Sequence, residues 1–373
     1  MRPTEDSEPE EGTALCLSGG GYRAMLFHVG VLWRLNEAGL LRGLQRISSV
    51  SGGSITAGVL GRNWADLGFE EEVAVRFRQA LVDPVRRLAR TDVDITGVLG
   101  GALSPWTSVA DRVQEAYDRE LFRGATMQDL PDEPRFVFHA TNLESGVLMR
   151  LSKPYLADYR VGRVDRPTFP LALAVTASSA FPPFLSPCRL DLRGADWVTE
   201  PGNDLADREG FRDEISLSDG GVYDNLGIES AWKRYRTLLV SDAGGQMGED
   251  PTVPGDWGRG LLRVLGVIDN QVRALRKKQV VQSLQSGERQ GMYVGIRSDV
   301  ARYPLADPLP ADVRVTRRLA EVPTRLDSVP EALQEQLVNW GYVLADAGVR
   351  SHVDPAVERG RLPYPNHPLT GGQ

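Results

Sequence analysis

Three short segments carry residues whose types and spacing could perform ester chemistry. Ser18-Gly19-Gly20-Gly21-Tyr22-Arg23 lies between an apolar run and a helical pattern. Glycine lets the backbone approach a ligand closely, and the N–H groups add to the positive end of the helix that follows. The loop therefore suits a bound phosphate or a developing oxyanion. Ser49-Val50-Ser51-Gly52-Gly53 matches a nucleophile elbow, with Ser49 where the first glycine of Gly-x-Ser-x-Gly would stand. In such an elbow the nucleophile occupies the strained turn from strand to helix, which is the position of Ser51. Asp219-Gly220-Gly221 ends a third strand-like segment, and its glycines allow a carboxylate to be brought against the elbow.

A serine hydroxyl is a poor nucleophile until a base takes its proton. Of the four histidines, His352 and His367 lie near the C-terminal end and His139 sits inside a strand-like run. His28, on the helix behind the glycine loop, alone has a site-like address, although a helix histidine packed on a sheet is the commoner case. A Ser, Asp, His triad order lacks a suitable candidate. Asp219 is the alternative base. A carboxylate near its reference pKa of about 3.9 is weak, so burial must raise that pKa or positioning must be very good. Asp242, followed by Ala243-Gly244-Gly245, is a competing strand-end aspartate that chemistry alone favours less. Gly19, Gly21 and Ala24 also satisfy the dinucleotide pattern Gly-x-Gly-x-x-Ala, which would suit an oxidoreductase. The second strand, however, ends in Val50-Ser51-Gly52-Gly53, without the acid that would hold a ribose hydroxyl.

These segments need elements to hold them. Thr13 to Leu17 reads as a strand, and Ala24 to Leu35 recurs at helical spacing up to Gly39. Arg46 to Val50 reads as a second buried strand, followed by a small-residue helix around Ile55 to Leu60. This βαβα order predicts an α/β fold with a parallel sheet and right-handed crossovers. Residues 63–130 are helical and charged without strand signals, and are expected to form an insertion or cap. Arg135 to Thr141 and Gly146 to Leu151 predict paired strands, Phe169 to Ala180 a helix ended by Pro182-Pro183, and 192–212 a surface excursion. Strands at Ile215 to Leu217, Arg236 to Val240 and Met292 to Ile296 surround a long helix over 258–286. Pro330 to Ala347 predicts a helix with Leu333, Leu337, Trp340, Val343 and Leu344 on one side, and 349–373 a loosely held tail.

Composition bounds what remains. The 373 residues are 41% hydrophobic and 25% charged, the balance of a protein with a large core, and they are expected to form one domain with helical insertions. A net charge of −7 argues against a nucleic-acid partner. Cys16 and Cys188 fit two core thiols in a reducing compartment, so a cytoplasmic protein is expected. The acidic segment 1–12 lacks a signal peptide's basic-then-apolar order and is expected to be a disordered tail. The longest uncharged stretch, between Arg166 and Arg189, is broken by Pro167, Pro170, Pro182, Pro183 and Pro187, so any membrane contact must be peripheral. Arg273, Arg276, Lys277 and Lys278, on one helix with Leu275, Val280 and Val281, could dock an anionic bilayer.

In their order along the chain, Gly19-Gly20-Gly21-Tyr22-Arg23, Val50-Ser51-Gly52-Gly53-Ser54 and Asp219-Gly220-Gly221 resemble the oxyanion loop, nucleophile elbow and D-G-G/A motif of the patatin-like phospholipase family. Residues 140–146, 177–183 and 337–342 are similar to further blocks of that family, so the resemblance covers roughly 13–348. It implies a three-layer α/β/α fold with a mostly parallel central sheet and helical insertions. It also implies a Ser51–Asp219 dyad without histidine, an oxyanion hole at Gly19, Gly20 and Gly21, and supporting roles for Arg23, Gly53, Gly220 and Gly221. Arg23 would fix the loop or meet a lipid phosphate. The implied reaction is hydrolysis of acyl esters of phospholipids or lysophospholipids, without metal or other cofactor. The alternative is a regulated lipid-binding or effector protein on the same fold.

Overall fold

The computed structural model describes residues 9–93, 108–253 and 255–371. In chain order the elements are β1 (Glu10–Leu17), α1 (Gly21–Glu37), β2 (Arg46–Ser49), α2 (Gly52–Arg62), a small hairpin of β3 (Phe69–Glu70) and β4 (Val73–Ala74), α3 (Asp83–Leu88) and α4 (Val109–Tyr117). Then come β5 (Arg135–Asn142), β6 (Val147–Ser152), β7 (Tyr155–Asp158), β8 (Gly162–Asp165), α5 (Leu171–Ser178), β9 (Cys188–Asp191), β10 (Trp197–Val198) and β11 (Glu214–Asp219). The chain continues with α6 (Gly221–Asp224), α7 (Glu229–Trp232), β12 (Tyr235–Asp242), α8 (Trp257–Gln285), β13 (Gln290–Gly295), α9 (Val313–Ala320) and α10 (Glu331–His352).

The sheet runs β10-β8-β7-β6-β5-β2-β1-β12-β13, with β11 paired to both β5 and β9. Its centre, β5-β2-β1-β12-β13, is parallel, as the βαβα pattern predicts. Beyond β5, the strands β6, β7, β8 and β10 extend it antiparallel. Alternation along β1 divides the apolar residues between two layers: Leu15 and Leu17 join the main core with α1, α2 and α10, while Ala14 and Cys16 join a smaller core with Ile228, Leu238 and Val280. Helices thus cover both faces of the central strands. On the larger side α1 and α10 cross closely, because a Cβ on Gly341 would meet the Phe27 carbonyl oxygen, and one on Gly30 the Val338 carbonyl oxygen, each at 1.9 Å.

One register fact positions the site. β5 pairs with β2 through its first half, where Ser49 faces Phe138, and with β11 through its second half, where Asp219 faces Ala140. The C-terminal ends of β2 and β11 therefore meet two residues apart along β5, roughly 7 Å at about 3.4 Å per residue. Neither strand pairs with the other.

Three expectations need correction. The 63–130 region is not purely helical, since Phe69–Ala74 forms a hairpin, and it is no detached cap: Phe77, Leu81, Val85 and Leu88 are buried in the main core. Residues 94–107 of that region lie outside the described residues. Residues 349–371 are not loosely held. α10 continues to His352, and buried Asn339 then donates from Nδ2 to the carbonyls of Tyr364 and His367 at 2.8 and 2.9 Å and accepts from Tyr364 N–H at 3.0 Å. Proline and glycine there prevent regular structure, and side-chain amide bonds replace it, with Leu369 fully buried. At the other end β1 starts at Glu10, so the ordered chain reaches into the expected tail; residues 1–8 lie outside the described residues.

Candidate active site

Ser51 adopts φ 52° and ψ −123° between β2 and α2, a left-handed conformation uncommon for a side chain and expected of an elbow nucleophile. Its N–H is shared between the carbonyl and hydroxyl oxygens of Ser178, each at 3.1 Å. Beneath it Ser54 Oγ donates to Ser49 Oγ at 2.9 Å and lies 2.8 Å from Ser178 Oγ. Ser49, the departure from the glycine of the elbow pattern, is thus accommodated by a buried chain of hydroxyls. α2 also presses against the loop after β1: a Cβ on Gly53 would sit 2.5 Å from the Leu17 carbonyl oxygen, and one on Gly52 2.2 Å from that of Gly21.

That packing brings the glycine loop to the nucleophile. The Gly19 N–H is occupied by the Asn225 carbonyl at 3.0 Å, so Gly19 contributes close approach, its absent Cβ lying 3.1 Å from Ser51 Cβ. Gly20 and Gly21 take positive φ, 146° and 60°, and their N–H groups have no hydrogen-bond partner among the described residues. The N–H of Gly52, the first residue of α2, is likewise unpaired. Three backbone amides of the elbow and glycine loop, those of Gly20, Gly21 and Gly52, are therefore unpaired among the described residues, where the resemblance implied Gly19, Gly20 and Gly21.

Asp219 stands where β11 ends. Its backbone is fixed by Thr141 Oγ1 donating to its carbonyl at 2.9 Å and by its own N–H donating to Ala180 at 2.9 Å. The Ser178 carbonyl that accepts from Ser51 also accepts from Gly220 N–H at 3.2 Å, so the end of α5 ties elbow and carboxylate loop together. A Cβ on Gly220 would lie 2.3 Å from the His139 carbonyl oxygen. Asp219 Oδ1 accepts from Gly221 N–H at 2.7 Å, while Oδ2 is buried without a hydrogen-bond partner among the described residues. Burial pushes the carboxyl pKa up to about 7; the Gly221 N–H and the nearby Ser51 hydroxyl work against that rise, and Asp269 adds to it.

The other sequence candidates fall elsewhere. Asp242 accepts from Gly244 N–H at 2.9 Å and from the Tyr293 hydroxyl at 2.6 Å. His28 is buried between Ser18 and Ser241. Its Nε2 is 2.9 Å from the Ser18 carbonyl, which can only accept, so Nε2 carries the proton and Nδ1 accepts from the Ser241 hydroxyl at 2.8 Å. Burial holds its pKa down to about 4, so it is neutral near pH 7. Arg23 is buried and donates to the carbonyls of Ala243, at 3.0 and 3.2 Å, and Val322, so it braces the loop. Its pKa is lowered to about 10, first by burial and then by Arg273 and Arg297. On α8, Arg276 pairs with Glu229 at 2.9 Å, Arg273 with Asp269 at 3.5 Å, and Lys277 lies over the Tyr293 ring, leaving Lys278 the least engaged of the expected basic patch.

Sequence reasoning gave no role to Ser178, Asn225 or the 321–326 segment. Asn225 wedges its side chain between Gly19, Gly221 and Gly244, and the Arg325 carbonyl accepts from Tyr22 N–H at 3.0 Å. Only the block 177–183 carried any signal for them.

A strained serine elbow beside a buried aspartate and a glycine loop with unpaired amides thus stand together at the ends of β1, β2 and β11. The chain matches the patatin-like phospholipase family over residues 15–232, more than half its length, and belongs to that family. Among solved structures it is similar to human GIVD cytosolic phospholipase A2, at 13% identity and a TM-score of 0.49 over 93% of this chain, and spans 62% of that protein's chain. The same human enzyme in complex with methyl gamma-linolenyl fluorophosphonate aligns at 16% identity and a TM-score of 0.47, over 92% of this chain and 58% of that one. VipD from Legionella pneumophila aligns at 15% identity with a TM-score of 0.37, over 94% of this chain and 69% of that one. No curated protein matches the chain.

Proposed function

We propose that the chain is a lipid acyl hydrolase in which Ser51 is the nucleophile and Asp219 the general base, acting on acyl esters of phospholipids or lysophospholipids. The observation that carries this is Asp219 Oδ2, buried and unpaired at the elbow in a carboxyl group whose pKa is raised to about 7. Oδ2 takes the Ser51 proton as Oγ attacks the acyl carbonyl. The resulting oxyanion is held by the N–H groups of Gly20, Gly21 and Gly52. Collapse expels the alcohol, which receives the proton from Asp219 and leaves an acyl group on Ser51. Water, deprotonated by Asp219, then attacks that ester, and the second collapse returns the proton to Ser51 and releases the fatty acid.

The test is covalent labelling with a serine-reactive fluorophosphonate, read by mass spectrometry alongside hydrolysis of a phospholipid. Wild type should gain one adduct on Ser51, and Ser51→Ala should lose both labelling and turnover with its fold intact. Labelling at another serine, or turnover retained by Ser51→Ala, overturns the assignment. Ser51 and Asp219 are only 8% and 3% exposed, which favours a second reading, low basal turnover released when a surface or partner opens the site.

A further inference from the structure

α8 does two different things along its length. Its C-terminal part buries Val280 and Ser283 against the sheet, whereas Leu261, Leu262, Val264, Leu265, Val267 and Ile268 are each about half exposed and Trp257 is 87% exposed. At 100° per residue those six side chains span roughly 220° of the helix surface, wider than the stripe a helix turns toward a single protein face. Single exposed apolar residues need no explanation; a contiguous surface of this kind does.

The helix stands at the proposed site. Asp269 is close enough to raise the Asp219 pKa, and Arg273 lies against Gly244. A second apolar border flanks the same carboxylate: Phe181 and Phe184, 54% and 56% exposed, follow the Ser178–Ala180 carbonyls that hold Ser51 and Asp219, and Val222, 51% exposed, follows Gly221. α8 also concentrates positive charge, with Arg259, Arg263, Arg273, Arg276, Lys277 and Lys278 against the single acid Asp269, in a chain of net charge −7.

We infer that the N-terminal half of α8, with Phe181 and Phe184, is the surface by which the protein sinks into an anionic lipid bilayer, seating the Ser51–Asp219 end of the sheet against the membrane. An apolar arc wider than half the helix and surrounded by basic side chains is what an interfacial helix presents to acyl chains and anionic headgroups. The bilayer contact is therefore made by the apolar turns of α8 with its basic residues around them, rather than by the basic patch at 273–278 alone. This inference rests on the lipid-hydrolase reading for its purpose but not for its test.

The experiment uses the full chain, with Leu261→Asp/Leu265→Asp as the variant, since both leucines are solvent-exposed and outside the catalytic machinery. Flotation with vesicles of phosphatidylcholine alone, and of phosphatidylcholine with phosphatidylglycerol, measures docking; hydrolysis of monomeric p-nitrophenyl butyrate reports the site; light scattering reports mass. Wild type should bind the anionic vesicles at least tenfold more tightly than the neutral ones, and the variant should lose at least tenfold of that binding while cleaving the monomeric ester within twofold of wild type. Loss of vesicle binding in the variant, when neither protein cleaves the ester or takes a fluorophosphonate, supports the docking surface and overturns the hydrolase. Unchanged vesicle binding in the variant overturns the docking surface, as does a wild-type dimer that the variant dissociates without any vesicle binding, which would assign the face to a second copy.

Discussion

In the proposed mechanism Asp219 concentrates the chemistry in one side chain. A carboxylate at its ordinary pKa would be a poor acceptor for a serine proton, and burial removes that weakness by moving it up to about 7. As a base it must be ionised, so kcat should rise with pH through about 7. Asp219→Asn should remove that ascending limb and lower kcat by roughly 100-fold to 10,000-fold; a pH–rate profile for both proteins checks this. The same shift has a stability sign. Because the folded pKa lies above the unfolded one, Asp219 contributes stability that is full below about pH 4 and lost as pH rises through about 7. Asp219→Asn should therefore gain melting temperature relative to wild type at pH 8 compared with pH 5. His28 is the contrasting case, buried and neutral with both ring nitrogens engaged. His28→Ala should cost roughly 1–3 kcal/mol in urea unfolding, by stranding the Ser18 carbonyl and the Ser241 hydroxyl. It should leave Ser51 labelling slower but present, and complete loss of labelling with an intact fold would instead make His28 catalytic. Ser51, Asp219 and the glycine loop were legible because each stands in a glycine-rich turn at a strand end. Which amides stay free was not, because the Gly19 N–H is claimed by Asn225, more than 200 residues away.

Elements, by contrast, were legible through periodicity, as were the parallel centre and the β5–β6 pair, but the meeting of β2 and β11 was not. The strand ending at Leu217 could be read from its apolar run, but nothing in that run says that β11 continues the line of β2 along β5. Likewise the leucine and valine spacing of α10 identifies a helix, while its close crossing with α1 depends on two glycines that a periodicity reading passes over. A substitution there is diagnostic: Gly341→Val should lower stability by roughly 1–3 kcal/mol or more, because its side chain would meet the Phe27 carbonyl. Thermal unfolding measures the loss, and fluorophosphonate labelling of the surviving fold should remain at Ser51, since the crossing lies away from the elbow. The end of α5 shows the same limit of legibility. Ser178 reads as one more small helix residue until the fold places its carbonyl between Ser51 and Gly220.

Taken whole, the chain is a sheet whose parallel centre holds Ser51 and the glycine loop, while Asp219 arrives on the antiparallel strand β11. Its last segment was misread because proline and glycine mark irregular backbone, and irregular backbone can still be fully bonded. The buried Asn339 side chain makes three hydrogen bonds to that segment, and Leu369 fills the core. A chain ended after His352 should melt at least several degrees lower, because Asn339 would be left buried without partners; scanning calorimetry against the full chain decides it.

The meeting of β2 and β11 on β5 has a mechanical consequence. The proposed nucleophile and base ride on strands that do not pair, so the gap across which the proton would move is set by a third strand, like the beam of a caliper, with the Ser178 carbonyl as a tie across it. Twisting or stretching β5 by a fraction of an ångström would open or close that gap without altering either reacting side chain. If the proposed dyad acts, substitutions along β5, chemically silent in themselves, should tune turnover as finely as changes at the jaws.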